Sequence, residues 1–484
     1  MRGSYERGLG QTVDWGLVVT YLLLILIGWV NIYAASHGTD TGSILSFSNR
    51  SGKQFVWILT ALGIAALIMF VFNARLWEVV SVPAYAVVLG LLVLVIFVSS
   101  NVKGSHSWFN LGPISFQPAE ISKITTSLVL ATIMSRPNFK MANIKDFLLV
   151  AATIAVPMLV IVAESETGSA LVYVGFVFVL YREGFSGWFI ACIGLAILIF
   201  ILTLTASPFT ATLVLLSTVA FCYSSETGNL RRWLLRELPL LIAVAFLPMI
   251  YRAIAGEEPA GIWEKVTPFR VIVGAALLSM PVLMVRAYRN RKNALWISLL
   301  AMLAGIVLTF STQIIFDNVL KDHQRNRIEV LLGMKDDPAG AGYNVNQSMI
   351  AIGSGRLFGK GFLNGTQTTF GFVPEQSTDF IFCTIGEEWG FVGCLAVILL
   401  YVFLIFRLVT DAEKSREAFT RIYGYCAASI IFMHLFINIG MTIGLMPVIG
   451  IPLPLLSYGG SSLWSFTILI FIFIALNKQE SKYF

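Results

Sequence analysis

Long apolar stretches recur along the whole chain, and most have the roughly 20 residues that a helix needs to cross a bilayer, although several are shorter. Only 12% of the 484 residues are charged, whereas soluble domains carry about 25%. The sequence therefore predicts an all-α, polytopic membrane bundle of about 14 spans, with no sizeable soluble domain. We place these spans at 15–34, 54–72, 79–98, 119–134, 147–163, 168–181, 187–205, 210–224, 237–252, 269–286, 295–315, 378–406, 419–446 and 460–477.

The Lys and Arg residues are distributed unevenly between alternate loops, and this bias predicts the orientation of the bundle. With the N-terminus in the cytoplasm, basic clusters such as 231–236 lie inside, whereas 206–209 and 447–459 lie outside without Lys or Arg. The even number of spans returns the C-terminus to the cytoplasm. The polar loop 316–377 then faces outward, and long loops tolerate its basic residues. These cations indicate either an anionic ligand or solvated charge beside lipid phosphates.

Composition argues against several other functional classes. The net charge of +6 comes mostly from the loops, without a basic stripe interleaved with aromatic residues, so no nucleic-acid partner is predicted. The five cysteines lie in apolar spans without CxxC spacing and are interpreted as core residues. The four histidines are scattered, so the sequence contains no zinc motif.

The segment 316–377 is the longest hydrophilic stretch, and polar chemistry held at a membrane surface makes it a candidate functional region. Asp336 and Asp337 lie in its run KDDPAGAGY, directly before a Pro-Ala-Gly turn. Gly340 and Gly342 allow the backbone to approach a ligand closely. The sequence therefore predicts a carboxylate site in this loop.

The same loop holds two arginines and a glycine-rich run. Residues 321–332 have a helical pattern, and Arg325 and Arg327 can bind phosphate oxygens through two parallel hydrogen bonds. The run GSGRLFGKG at 353–361 lacks the spacing of a Walker A motif and its Ser or Thr, which argues against nucleotide binding.

The segment 102–123, VKGSHSWFNLGPISFQPAEISK, combines an outer loop with the start of a helix. Trp108 suits the membrane interface. Pro118 is favourable in the first helical turn, where Glu120 also benefits from the helix dipole. Glu120 and Lys123 share one helix face. They indicate either an ion pair that steadies the helix or a functional pair facing a polar cavity.

Two further outer turns carry polar side chains. Glu164 and Glu166 are close enough to share a proton or a cation, although a solvated turn explains them equally well. The segment 447–462 is a proline-broken loop followed by small residues. Broken backbone at membrane depth requires cover by protein or a cavity, so Ser457 and Tyr458 are candidates to line a cavity.

Acidic residues also gather at the start of the twelfth predicted span. Glu375 and Asp379 lie at its entrance, with Glu387 and Glu388 deeper within it. Several carboxylates together indicate a polar cavity or a buried network. His434 in the thirteenth span is interpreted as a core residue.

Four segments together resemble the SEDS family (shape, elongation, division and sporulation), over most of residues 10–200 and 315–477. They are KGSHSWFNLGPISFQPAEISK, RNRIEVLLGMKDDPAGAGYNVNQSMIAIGSGRLFGKG, GTQTTFGFVPEQSTDFIF and NIGMTIGLMPVIGIPLPLLSYGGSS. The run NIGMTIGLMPV at 438–448 is more similar to the elongation members than to the division members.

The resemblance implies a peptidoglycan glycosyltransferase that polymerises lipid II at the outer face of the bacterial cytoplasmic membrane. It implies a class B penicillin-binding protein, a transpeptidase, as partner. The candidate catalytic residue is Asp337, which matches the acidic residue of the family's DPxGxGY pattern. The candidate substrate-binding or supporting residues are Glu120, Lys123, Trp108, Lys103, Arg325, Arg327, Gly340, Gly342, Tyr343, Gln347, Glu375, Asp379, Ser457 and Tyr458.

The chain also departs from the family's pattern. The family has about ten spans, so about four are predicted to be inserted, within 206–294 between core parts 1–205 and 295–484. An even insertion keeps the loop 316–377 outside. The family's QPDxGT reads ESETGS at 164–169, and its His before Thr-Asp-Phe is Ser377 here.

The predicted reaction joins a sugar hydroxyl of one lipid II to the anomeric carbon of another, with inversion and loss of diphosphate. It needs a base and charge stabilisation at the leaving group. Asp337 is predicted to act as base or to orient the hydroxyl, with a divalent cation (Mg²⁺ or Mn²⁺) as an option. Arg325, Arg327 and Lys123 are predicted to stabilise the diphosphate. A lipid II flippase and a non-catalytic scaffold of the wall-synthesis complex are the alternatives.

Overall fold

The predicted apolar stretches all fold as helices. In the computed structural model, each predicted span coincides with a helix or with a run of short helices. The structure describes residues 13–37, 43–47, 49–99, 107–111, 114–226, 228, 231, 233–255, 267–290, 293–318, 320, 322–332, 334–335 and 342–483. Within these ranges, ten helical segments are long and apolar enough to cross a membrane, and three apolar helices are shorter. The all-α polytopic class is confirmed, whereas the number of fourteen spans stays a prediction.

The elements are numbered here in chain order. The helices are α1 (Trp15–Ser36), α2 (Arg50–Phe70), α3 (Ala74–Val98), α4 (Pro118–Met134), α5 (Ile144–Ala163), α6 (Thr167–Val172), α7 (Phe176–Arg182), α8 (Gly187–Thr205), α9 (Pro208–Glu226), α10 (Leu238–Ala245), α11 (Leu247–Ala255), α12 (Pro268–Asn290), α13 (Asn293–Asn318), α14 (Asp322–Leu331), α15 (Tyr343–Ser354), α16 (Thr366–Thr369), α17 (Ile381–Lys414), α18 (Ala418–Thr442) and α19 (Gly460–Tyr483). The strands β1 (Phe109–Leu111) and β2 (Ile114–Phe116) form a short antiparallel hairpin.

Short polar residues begin several of these helices. The side chain of Asp14 accepts hydrogen bonds from the N–H groups of Gly16 and Leu17 at the start of α1, at 2.8 and 3.3 Å. Asn73 and Asn143 cap α3 and α5 in the same way. These side chains satisfy N–H groups that have no partner within the helix.

The described residues divide into two compact units, and the first comprises Met1–Phe185 with Asp336–Phe484. Its most buried long helix is α18, which contacts α17, α4 and α19. The outer helices α2 and α3 pack on α19 and α4 respectively. Large apolar side chains such as Phe97 remain exposed on α3, as expected where a helix faces lipid. The first unit therefore has a protein-covered centre inside an apolar shell.

Helix α17 is broken at Gly390, where φ is +65° and ψ is −161°. The loop 356–361 pairs with the main chain around this break through four hydrogen bonds of 2.9–3.1 Å to residues 387–392 of the helix. Unpaired main-chain groups are costly at membrane depth. The main-chain groups of the loop and those at the helix break therefore serve as hydrogen-bond partners for each other.

Gly359 is the position in this loop where a side chain would cause the greatest conflict. Its φ is +78°, and a Cβ there would lie 2.0 Å from the carbonyl oxygen of Glu388. We expect Gly359→Ala to lower the unfolding temperature in detergent, because backbone strain of about 1–3 kcal/mol is joined by steric conflict with the helix. Gly371→Ala is the matched control, since Gly371 also has positive φ, at +70°, but faces open space. Equal decreases in unfolding temperature in the two variants would show that the contact with α17 contributes nothing to stability.

The second unit, Ser186–Lys335, is built from α8, α9, α12 and α13, which pack around a small apolar core. Buried members of that core include Leu215, Ile272 and Met302. The predicted inserted segment 206–294 lies within this unit, and its boundaries stay a prediction.

The predicted loop 316–377 contains regular structure. It includes α14, α15 and α16, and the boundary between the two units falls within it, after Lys335. The helix predicted over 321–332 is confirmed as α14. Four residues singled out by the sequence, Lys103, Asp336, Asp337 and Gly340, lie outside the described residues.

Candidate functional site

A buried ion pair lies at the start of α4. Pro118 occupies the first helical turn, and Glu120 follows in the same turn. The ammonium Nζ of Lys123 lies 2.7 Å from Oε1 of Glu120, and both residues are only 2% exposed. The predicted placement of these two side chains on one helix face is confirmed. A charge this deeply buried is tolerated only when it is paired.

His434 of α18 is the second partner of Lys123. Its Nε2 lies 2.8 Å from Nζ of Lys123, and its Nδ1 lies 3.2 Å from the carbonyl oxygen of Pro452. Because a carbonyl only accepts hydrogen bonds, Nδ1 carries the hydrogen and Nε2 accepts from the ammonium. We call Glu120, Lys123 and His434 the buried centre. The sequence did not indicate this contact, because 311 positions separate Lys123 from His434.

Aromatic and polar groups enclose the buried centre. The ring of Phe466 meets His434 edge to face, with centroids 4.9 Å apart, and lies 5.8 Å from Nζ of Lys123. Ser122 lies between Glu120 and Lys123 on α4, and its hydroxyl is 2.7 Å from the hydroxyl of Tyr173. The surroundings are therefore weakly polar, and electrostatic interactions there are stronger than in water.

The turn after α5 brings two carboxyl groups close to the chain before the hairpin. Glu166 accepts a hydrogen bond of 2.7 Å from the hydroxyl of Ser107, next to the half-buried Trp108. Glu164 is 1% exposed, and neither carboxyl oxygen has a hydrogen-bond partner within the described part of the chain. Burial, followed by the charge of Glu166, raises the pKa of Glu164 to about 8. Burial therefore favours the uncharged form of Glu164.

The entrance to α17 and the proline-broken segment 447–459 are tied together by hydrogen bonds. Ser457 Oγ donates to the carbonyl of Thr378 at 2.6 Å, and the N–H of Tyr458 donates to the carbonyl of Ser377 at 2.9 Å. These bonds bring two predicted residues of the late segment, Ser457 and Tyr458, to the predicted acidic entrance.

Asn438 extends the same connection to α18. Its Nδ2 donates to the main-chain carbonyls of Asp379 and Ile451, at 2.8 and 2.7 Å. Asn438 lies one turn beyond His434, on the same helix. The entrance at Asp379 and the buried centre are therefore held by one face of α18. The neighbouring Glu375 has a φ of +51°.

Glu387 is a structural acceptor rather than an open site. Its fully buried carboxylate accepts from Lys360 Nζ at 2.6 Å and from the N–H groups of Gln367 and Thr368 at 2.9 Å each. The predicted cluster of acidic residues in this span thus includes a buried hydrogen-bond network.

The helix that follows the DPAGAG run starts at Tyr343, with Gly342 as its N-cap. Tyr343 and Gln347 are half-buried on its first turns. Ser348 Oγ donates to the carbonyl of Thr442 at 2.9 Å, which joins α15 to the end of α18. Gly342, Tyr343 and Gln347 therefore lie on a helix that is anchored to the first unit.

Arg325 and Arg327 lie on α14 of the second unit. Arg325 pairs with two acidic residues of its own helix, Asp322 at 3.4 Å and Glu329 at 3.9 Å. Within the ranges that the structure describes, no group of three or more His, Cys, Asp or Glu side chains is arranged to hold a metal ion.

The fold and the buried centre define a multi-pass, all-α membrane protein with a paired charge enclosed in its helical core. Comparison with known families is more specific. The family model described as cell cycle protein, which groups FtsW, RodA and SpoVE, matches residues 14–217 and 272–482. The chain belongs to this family. The unmatched residues 218–271 lie in the second unit.

Curated relatives align over nearly the whole chain. The peptidoglycan glycosyltransferase RodA of Treponema pallidum is 28% identical over 475 residues, covering 98% of this chain and 99% of that protein. The peptidoglycan glycosyltransferase MrdB of Escherichia coli is 28% identical over 443 residues, covering 91% and 88%.

Solved structures share the fold. A chain of a peptidoglycan synthase complex that coordinates polymerization and crosslinking aligns with a TM-score of 0.57 at 22% identity, covering 97% of this chain and 98% of that chain. The rod shape determining protein RodA of Thermus thermophilus aligns with a TM-score of 0.54 at 21% identity, covering 97% of each chain.

Proposed function

We propose that this protein is a peptidoglycan glycosyltransferase that polymerises lipid II into glycan strands during cell elongation. The observation that carries the proposal is the alignment with relatives named as peptidoglycan glycosyltransferases, which covers 98% of the chain in the Treponema pallidum case. The buried centre supports it, since a charge held inside a membrane bundle is costly and usually marks a functional site.

The reaction requires a base and a stabilised leaving group. The hydroxyl of one lipid II attacks the anomeric carbon of another, the carbon–oxygen bond to the diphosphate breaks, and the hydroxyl proton passes to a base. Asp337 is the proposed base, because it matches the acidic residue of the DPxGxGY pattern. A divalent cation at Asp337 is part of the proposal only as an aid to orienting the hydroxyl or neutralising diphosphate charge.

Lys123 contributes a fixed positive charge. Its ammonium is oriented before any ligand arrives, because Glu120 and His434 both bind it. Charge that is held in place in a weakly polar site stabilises developing negative charge without reorganising during the reaction. We propose that the ammonium of Lys123 stabilises the negative charge that develops on the departing diphosphate.

A lipid II flippase is the rival that the geometry bears on most directly. A transport path would need polar, unpaired groups along the bundle. Far from the buried centre, the charges at several helix ends are paired with one another. Arg421 lies in the first turn of α18, about 20 Å along the helix from His434 at 1.5 Å per residue. These pairs are Arg407–Asp14 at 2.5 Å, Arg182–Glu413 at 2.6 Å and Arg421–Glu183 at 3.1 Å. This pairing favours an enzyme over a transport path.

Purified protein incubated with labelled lipid II separates the three functions. An enzyme produces glycan chains, a flippase in vesicles moves lipid II between leaflets without joining it, and a scaffold does neither. Repeating the assay with a chelator, followed by Mg²⁺ or Mn²⁺, tests the cation. Lipid II that stays monomeric under all these conditions would refute the proposed function.

The proposed partner is a class B penicillin-binding protein. The structurally similar chain in the peptidoglycan synthase complex, which couples polymerization to crosslinking, supports this proposal. The proposed location is the bacterial cytoplasmic membrane, with both termini and the basic loops in the cytoplasm.

Cysteine labelling tests this orientation. In a variant without the five native cysteines, we expect Ala339→Cys beside Asp337 to react with a membrane-impermeant maleimide in spheroplasts. Asn138→Cys, an exposed position in the basic loop before α5, should react only after the membrane is permeabilised. The reverse pattern would place Asp337 in the cytoplasm and exclude an outward-facing polymerase.

A further inference from the structure

We infer that His434 is a positioning residue, which directs the ammonium hydrogen of Lys123 that has no acceptor in the part of the chain that the structure describes. The inference rests on the proposed function, because it assigns Lys123 a role in lipid II polymerisation. His434 was interpreted from the sequence as a core residue, and the structure places it on Lys123.

The direction of the free hydrogen follows from the two bonds that the ammonium already makes. Lys123 Nζ donates to Oε1 of Glu120 at 2.7 Å and to Nε2 of His434 at 2.8 Å. An ammonium has three hydrogens in tetrahedral arrangement. Two fixed acceptors therefore stop rotation about the Cε–Nζ bond and set the direction of the third hydrogen.

The buried centre also has an unused acceptor. Oε2 of Glu120 is buried and has no hydrogen-bond partner within the described ranges. The third hydrogen of Lys123 and Oε2 of Glu120 are thus a donor and an acceptor without partners in the described ranges, on two side chains that bind each other. An unpaired group of this kind costs free energy unless something occupies it. A group that both donates and accepts, such as a hydroxyl, fits this pair.

His434 is itself held in one orientation. Nδ1–H donates to the carbonyl of Pro452 at 3.2 Å, and the ring of Phe466 stands perpendicular to the imidazole, at an interplanar angle of 90°. The imidazole is completely buried. These contacts aim the Nε2 lone pair at Lys123 and connect the ammonium to the proline-broken segment 447–459.

Three substitutions at one position separate orientation of Lys123 from packing. In His434→Gln the side-chain oxygen reaches the position of Nε2, so it still accepts from Lys123. His434→Asn reaches only the position of Nδ1, so the partner of Pro452 remains and the acceptor for Lys123 is lost. His434→Phe fills the space without either hydrogen bond.

We expect His434→Asn and His434→Phe to lower kcat for lipid II polymerisation by about 10- to 100-fold, the effect of one hydrogen bond to a charged group. His434→Gln should keep most of kcat, and KM should change little in all three variants. Losses that are equal in the Gln and Phe variants would overturn the inference, as would full kcat in the Phe variant.

A second measurement keeps the inference testable apart from the proposed function. The measurement is a double-mutant cycle on the unfolding midpoint. His434→Phe should lower the midpoint less in the Lys123→Met background than in wild type, because the two residues are in contact. Additive costs would overturn the contact. If wild-type protein makes no glycan chains, the proposed function is refuted. The role of His434 in the reaction is then refuted as well.

Discussion

Asp337→Ala should lower lipid II polymerisation by about 10²- to 10⁴-fold, which is the contribution of a positioned general base. The variant should fold normally, because an acidic residue in a polar loop is not required by the apolar core. The measurement is the rate of glycan-chain formation by purified protein, together with its unfolding temperature in detergent. Substantial polymerisation by the folded variant would remove Asp337 from the mechanism.

Asp336 provides a matched control one residue away. Asp336→Ala removes the same charge from the same run, KDDPAGAGY, without touching the proposed base. It should retain far more activity than Asp337→Ala. Equal losses would instead assign the effect to the net charge of the loop. Asp337→Asn, which keeps the shape of the side chain and loses its basicity, should be as impaired as Asp337→Ala.

The sequence predicted those features that depend on local chemistry. Apolar length located the helices, because each must satisfy its own backbone inside the membrane. Pro118 predicted the start of α4, and the three-residue spacing predicted that Glu120 and Lys123 share a face. The structure confirms both.

Features that depend on contacts between distant segments were not predicted. The bond between Lys123 and His434 joins two helices, and nothing in the residues around His434 distinguishes it from an ordinary core histidine. The break at Gly390 is similar, since it is stable only because the loop 356–361 completes its hydrogen bonds. A glycine within an apolar stretch does not reveal such a partner.

Removing one member of the buried ion pair should cost more stability than removing both. Lys123→Met leaves the carboxylate of Glu120 buried without its cation, and Glu120→Gln removes the charge partner of Lys123. Breaking a buried pair in this way costs about 3–5 kcal/mol. We therefore expect each single variant to show a markedly lower unfolding temperature in detergent than wild type.

The double variant Glu120→Gln/Lys123→Met separates stability from activity. It contains no unpaired charge at this position, so its unfolding temperature should recover toward that of wild type, because the penalty of an uncompensated buried charge is gone. Polymerisation should nevertheless remain low, because the fixed positive charge proposed to stabilise the diphosphate is gone. A double variant that folds and polymerises lipid II at the wild-type rate would show that the pair serves only the fold. Recovered stability without activity would instead mean that a costly charge is retained at the start of α4 for the reaction itself.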